Sequence, residues 1–214
     1  MWDIAMKRMP VLSLILCAFI AGSMPVRAQS TYVLTSDSRL RIEGTSTVDA
    51  FTCEAGTIVG SGHMERPEGG AGDGRLDSSD AGIALIVPVE SFDCGKAKMN
   101  RDMYDALLAS THPNIGFQLD EVEVLGSNSS GDGFDLRATG RLSLAGEIRA
   151  VTFSVRGMTL PDGRLQAQGA LPLLMTDFGI KPPTALFGLV RARDQITVAF
   201  ELYGVSQAVA QANR

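Results

Sequence analysis

The sequence predicts an all-β domain of about eight to ten antiparallel strands, closed into a barrel or stacked as a sandwich, with one amphipathic helix among them. Three observations carry that expectation. Apolar and polar residues alternate through most of the chain, as in strands buried on one face and wet on the other. The connections between these runs are short and rich in turn formers, which suits hairpins and excludes the long crossovers that parallel strands need. A single stretch, KMNRDMYDALLASTHPNIGF (98–117), spaces its apolar side chains as a helix does.

Residues 1–28 read as a secretory signal peptide. Lys7 and Arg8 give a positive start, Val11 to Gly22 is an apolar run, and Val26-Arg27-Ala28 fits a small-residue cleavage site with Gln29 following. The run falls short of the ~20 residues a membrane span needs. An uncleaved anchor is the alternative, and Cys17 behind the bulky Leu16 does not fit a lipoprotein site. No later segment is long and apolar enough to span, so the mature chain is expected to be exported and soluble. Its length suits one domain with a sizeable core, over 29–204, followed by a loose tail at 205–214.

The strands follow in order. SRLRIEG sets Leu40 and Ile42 on one face, GIALIVPVESF alternates Ile83, Leu85, Val87 and Val89, and NIGFQL alternates Ile115, Phe117 and Leu119. EVEV adds Val122 and Val124, and GFDLRATGRLSL places Phe134, Leu136, Ala138, Leu142 and Leu144 together. AVTFSV contributes Val151, Phe153 and Val155, RLQAQGALPLL contributes Leu165, Ala167, Leu171 and Leu173, and QITVAFEL closes with Ile196, Val198, Phe200 and Leu202. SNSSGDG (127–133), AGE (145–147) and PDG (161–163) read as hairpin links, and 67–80 as a longer solvated loop. In the helical stretch Met99, Met103, Ala106 and Leu107 share a face, and Pro113 ends the run. That face either caps a packed core or forms one wall of an apolar cavity.

Composition excludes several classes of function. The formal charge is −5, and it becomes more negative when Lys7, Arg8 and Arg27 leave with Asp3. An acidic domain is a poor match for nucleic acid, and its net charge also argues against anionic lipid headgroups. Cys53 and Cys94 remain in the mature chain, and in an oxidising compartment such a pair most simply forms a disulfide. Two separately buried thiols are the alternative. Metal ligation by these distant cysteines with His63 and His112 is disfavoured, and no metal site is expected. The chain has no G-x-S-x-G, H-E-x-x-H or C-x-x-C, and Asp77 and Asp80 lie in a polar loop, so no catalytic residues are assigned. Small inward positions (Ala138, Gly140, Ala167, Gly169, Val87, Val151) alternating with Phe117, Phe134, Phe153 and Phe200 leave room for an elongated apolar cavity.

Several blocks carry a family resemblance. EGTSTVDAFTCEAG (43–56), VPVESFDCGKAKMNRDMYDALLASTHPNIGFQL (87–119), ATGRLSLAGEIRAVTFSV (138–155) and MTDFGIKPPTALFGLVRARDQITVAFEL (175–202) resemble, in order, the YceI-like family of exported bacterial proteins. The resemblance implies an antiparallel lipocalin-like barrel of about eight strands, with the helix after a mid-chain strand. It also implies non-catalytic binding of a polyisoprenoid, quinone or similar amphiphile, with no cofactor. Phe178, Phe187 and the GIKPP turn are then expected near the barrel mouth. The expected ligand-binding set is Val87, Met99, Met103, Leu107, Phe117, Leu119, Leu142, Phe153, Phe178 and Phe187. Asp49 departs from the family, where many members carry histidine in the form T-S-T-x-H. The expected protein is a periplasmic or secreted carrier of a hydrophobic small molecule, its protein partner unknown. An interaction or stress-protective protein with a filled barrel, or an unrecognised enzyme on an apolar substrate, are the alternatives.

Overall fold

The computed structural model describes residues 29–65, 75–77, 81–127 and 133–207. The expected signal peptide, the turn at 128–132, most of the 67–80 loop and the tail from 208 onward lie outside the described residues.

The elements run β1 (Gln29–Leu34), β2 (Arg39–Ser46), β3 (Ala50–Ala55), β4 (Val59–Glu65), β5 (Arg75–Asp77), β6 (Ala81–Pro88), β7 (Phe92–Asp93), α1 (Ala97–Ala106), β8 (Asn114–Ser127), β9 (Gly133–Leu144), β10 (Glu147–Thr159), β11 (Leu165–Leu174), β12 (Thr184–Ala185) and β13 (Val190–Ser206). They build a closed, antiparallel, eight-stave barrel. The first three staves are each broken once: β1 continues into β2, β3 into β4, and β6 through a 3-10 turn at Val89–Ser91 into β7. β8, β9, β10, β11 and β13 are continuous. Each stave pairs with the next in sequence, and β13 closes the ring by pairing with β11 on one edge and with β1 and β2 on the other. Closure decides between the two architectures that alternation alone permits, because a sandwich leaves its sheets unjoined.

Strict alternation is interrupted twice inside β8, at Asp120 and at Leu125, and the register explains the first. Leu119 pairs with Gly140 and Glu121 with Thr139, so Asp120 is an extra residue in a bulge. Without it, the Val122 and Val124 side chains would swap faces with the acids between them. One hairpin turn also departs from ordinary backbone. Ala145 and Gly146, which join β9 to β10, have φ of 51° and 86°, the pattern of the two-residue mirror-image hairpin turn. The chain strands itself further than its sequence pattern shows. β1 (QSTYVL) carries little alternation, Arg75–Asp77 in the polar loop pairs with β8, and β13 runs to Ser206, two residues into the expected tail.

The interior is layered around three phenylalanines. Phe117 and Phe153 meet edge-on with centroids 5.6 Å apart, and Phe153 meets Phe200 likewise at 5.7 Å. Such pairs contribute about 0.5–1.5 kcal/mol beyond their buried area. Two of these rings lie over glycines on adjoining strands. A Cβ at Gly140 would stand 2.6 Å from the Phe117 ring and 2.4 Å from the Gln118 carbonyl oxygen. One at Gly169 would stand 2.6 Å from the Phe200 ring and 2.7 Å from the Ser154 carbonyl oxygen. These glycines therefore seat the rings; they do not open cavity space as the sequence reading expected. Phe134, expected inward, is more than half exposed.

A disulfide joins Cys53 on β3 to Cys94 just beyond β7, with Cα atoms 4.0 Å apart. Cys53 is buried, so the link fastens the wall to the entry of α1.

Two outcomes are expected from urea unfolding. Gly140→Ala should lose about 1–3 kcal/mol through overpacking against ring and backbone; an unchanged midpoint would mean that Phe117 does not rest there. Reducing the disulfide should remove about 4 kcal/mol, the loop-closure value for a link of sequence separation 41. Two reactive thiols in the unreduced, unfolded protein would contradict the bond.

Candidate functional site

The barrel encloses a cavity of about 620 Å³. Its walls come from all eight staves, because inward residues alternate with outward ones along every strand. The cavity passes the phenylalanine row on both sides. Leu142 and Leu171 line it nearer α1, while Ala138 and Ala167 line it further along the same strands.

Its polar lining is confined to one end. Ser46, Asp49, Lys96, Lys98, Asp102 and Thr184 border the cavity, and each belongs to α1 or to a connection or strand end on its side of the barrel. Val48, which also lines the space, is 71% exposed, so this end is the mouth. Lys98 and Asp102 pair across one helical turn at 2.7 Å. Further inside, apart from the two half-cystines, the lining among the described residues is hydrocarbon, aromatic or thioether.

α1 is held at the mouth by its polar entry as well as by its apolar face. Met99, Met103, Ala106 and Leu107 all line the cavity. The Tyr104 hydroxyl donates to the carbonyls of Phe92 (2.5 Å) and Glu90 (3.1 Å), tying the helix to the end of the third stave. The side chain of Asn100 bridges the entry, its oxygen accepting from the Cys94 N–H at 2.7 Å and its amide donating to Asp93 at 3.0 Å. The Asp93 carboxylate also accepts from the Gly95 N–H at 2.8 Å. The bonds from Asn100 and then from Gly95 hold the Asp93 pKa below its ordinary value of 3.8. At the other end of the helix Leu108 adopts a left-handed φ of 56°, and His112 lies against Gly146 of the β9–β10 turn.

Of the ten residues expected from the sequence, eight border the cavity: Val87, Met99, Met103, Leu107, Phe117, Leu119, Leu142 and Phe153. Phe178 is buried in a 3-10 turn after β11, within the core but not on the cavity wall. Phe187 stands at the tip of the hairpin joining β12 to β13 and is fully exposed. From the same connection Ile180, Pro183 and Thr184 reach the cavity instead. The sequence reading did not pick out Lys96, Lys98 and Asp102 at the mouth. The one signal for them was their position on the helix flank beside the methionine face, four residues apart for the paired two.

His63 lies on β4, half-buried and stacked on Gly82, while His112 lies exposed at the helix exit. The two occupy opposite ends of the barrel, and among the described residues neither is hydrogen-bonded to a nucleophile. Among the described residues no cluster of three or more His, Cys, Asp or Glu could hold a metal ion.

Comparison with known proteins places this geometry. The model of the YceI-like domain matches residues 33–203. The chain belongs to the YceI-like family. Two solved structures share the fold. BcnA of Burkholderia cenocepacia is 18% identical, with a TM-score of 0.59 over 78% of this chain and 95% of its own. A polyisoprenoid binding domain from Saccharophagus degradans, implicated in plant cell wall breakdown, is 16% identical, with a TM-score of 0.57 over 82% of this chain and 98% of its own. No curated protein matches the chain significantly.

In this YceI-like barrel Asp49 sits in the β2–β3 turn at the mouth, its carboxylate accepting from the Ala50 N–H at 2.8 Å. The side chain is exposed at the cavity border.

A carboxyl NMR titration tests the helix anchor. Asp93 should titrate below 3.8 in the native protein and move back toward that value in Asn100→Ala. Because folding lowers this pKa, the associated stability is present above the unfolded value and is lost as pH falls through the folded one. A native midpoint at or above 3.8 would remove the anchor.

Proposed function

We propose that this protein is an exported, non-catalytic carrier that holds a long-chain hydrophobic amphiphile, such as a polyisoprenoid or quinone, inside its barrel. One observation carries the reading: an apolar cavity of about 620 Å³ whose polar lining is gathered at its mouth. That volume lies within the range of about 300–1,000 Å³ typical of small-molecule sites. The division of lining suits a ligand with a hydrocarbon body and one polar end.

The binding force would be desolvation. Each methylene moved from water to the cavity contributes about 0.8 kcal/mol, so a dozen carbons need no strong polar contact. Met99 and Met103 provide a soft wall that adapts to an irregular chain. The head group would meet Asp49, Lys96, Lys98 and Asp102, and the aspartate would favour a different head from the histidine that many relatives carry. The binding activity named for the Saccharophagus degradans domain supports the same class of ligand. A cavity of this size weighs against a barrel filled by its own side chains, and the separation of His63 from His112 weighs against their joint use in catalysis. The disulfide and the leader-like sequence of residues 1–28 support export to an oxidising compartment such as the periplasm.

Native mass spectrometry with organic extraction tests the proposal. The purified protein should carry, or take up, a long-chain amphiphile in one-to-one stoichiometry. Ala167→Phe should block that uptake by filling the cavity while leaving the fold intact by circular dichroism. Preparations that never carry lipid and never bind long isoprenoids or quinones would end the carrier reading.

A further inference from the structure

The cavity stops part-way down the barrel, at a depth that the strands measure. Leu144 and Ala138 both border it on β9, and Leu173 and Ala167 on β11, each pair six residues apart. Ile83, Leu119, Val155 and Leu202 are the deepest residues to border it on β6, β8, β10 and β13. Among the described residues, none beyond these lines the space. A strand rises about 3.3 Å per residue and barrel strands tilt by about 35–45°, so the cavity is about 15 Å deep.

The floor is made of leucines that lean over glycines. Leu136 stands two residues beyond Ala138 on the inward face of β9 and pairs with Val155, yet it does not border the cavity. A Cβ at Gly157 would stand 3.2 Å from the Leu136 Cδ1. Leu34 enters from β1 over Gly60, where a Cβ would stand 2.9 Å from its Cδ1 and 2.5 Å from the Leu85 Cδ2. Leu85 lines the cavity and Leu34 does not, so Leu34 lies beside the wall and below the open space. Both leucines are carried by strands paired along both edges, which holds the floor in place.

Depth and volume together describe the tail that fits. An extended carbon chain advances about 1.2 Å per bond, so one pass from mouth to floor takes about twelve carbons. The volume of about 620 Å³ holds about twenty groups the size of a water molecule or a methylene, at roughly 30 Å³ each. The space is therefore wider than a straight chain of its own depth and leaves room for side branches. Three isoprene units span the depth, at about four chain carbons each, and four fill the volume, at about five groups each.

We propose that the cavity measures the length of an isoprenoid tail, taking three to four units tip-down and leaving any further unit outside the mouth. Ala138 and Leu136 set the limit, one by leaving the last of the space open and the other by closing it. The proposal rests on the carrier reading above, because it needs the tail inside the barrel. The polar lining gives the direction: the head stays at the mouth with Asp49 and Lys96, and the tail end meets the leucines. Desolvation accrues only for carbons that enter, so affinity rises with length until the tip reaches the floor and then stops. A straight chain of the same depth leaves the branch space empty and forfeits contacts across it.

Equilibrium dialysis of the protein against radiolabelled isoprenols of two to six units tests the proposal. Affinity should rise about tenfold or more with each unit up to the third or fourth, and stay level from there to the sixth. Ala138→Leu, which fills the deepest part of the space, should move that break about one unit shorter. Leu136→Ala, which lowers the floor, should move it about one unit longer. Cooperative thermal melting shows that a variant is folded, and either variant decides the matter if the other is not. Affinity that keeps rising through six units, or a break that stays in place in a folded variant, would overturn the proposal and leave the carrier reading standing. Wild-type protein that binds none of these alcohols would end both.

Discussion

Everything in this molecule depends on the closure of β13 onto the first stave. One 17-residue strand carries the ladder to β11 along one edge and the ladders to β1 and β2 along the other. That arrangement removes the free edges of the sheet and fixes how many inward side chains share the interior. The phenylalanine row, the glycines beneath it and the position of the mouth all follow from the closed register. The turn at Thr35–Ser38 reinforces it, with the Thr35 N–H and the Ser38 hydroxyl both donating to the Tyr203 carbonyl. Outside the wall, Arg164 lies over the Tyr203 ring and bonds to Asp37 and Asp162, joining that turn to the β10–β11 connection.

Much of this was legible in the sequence because alternation is a local signal. Leu40 and Ile42, Ile196, Val198, Phe200 and Leu202 could be assigned to one face without knowing what that face met. What alternation does not encode is closure, since barrel and sandwich share the same pattern. It also fails where pairing is driven by a neighbour: QSTYVL becomes a strand because β4 and β13 flank it, not because of its own side chains. The glycines misled for a related reason. A small residue reads as space, but Gly140 and Gly169 are small because rings from other strands occupy the volume beside them.

The site was legible in proportion to its hydrophobicity. Eight of the ten expected residues reach the cavity because inward strand positions and the methionine face of α1 are periodic. Phe178 and Phe187 stand in the long connection from β11 to β13, where no period says which way a side chain points.

The breaks in the first three staves lie side by side. Residues 35–38, 56–58 and 89–91 interrupt adjacent strands, and the Gly56 N–H bridges to Ser91 across the gap. Beyond this crease β2, β3 and β7 form a panel that carries the disulfide and the entry to α1, while β8 to β11 and β13 remain unbroken. A continuous ladder would stiffen the wall there; the missing bonds leave that quadrant with fewer backbone links between its staves. The mouth therefore has a side of unbroken strands and a creased side, and the helix hangs from the creased one.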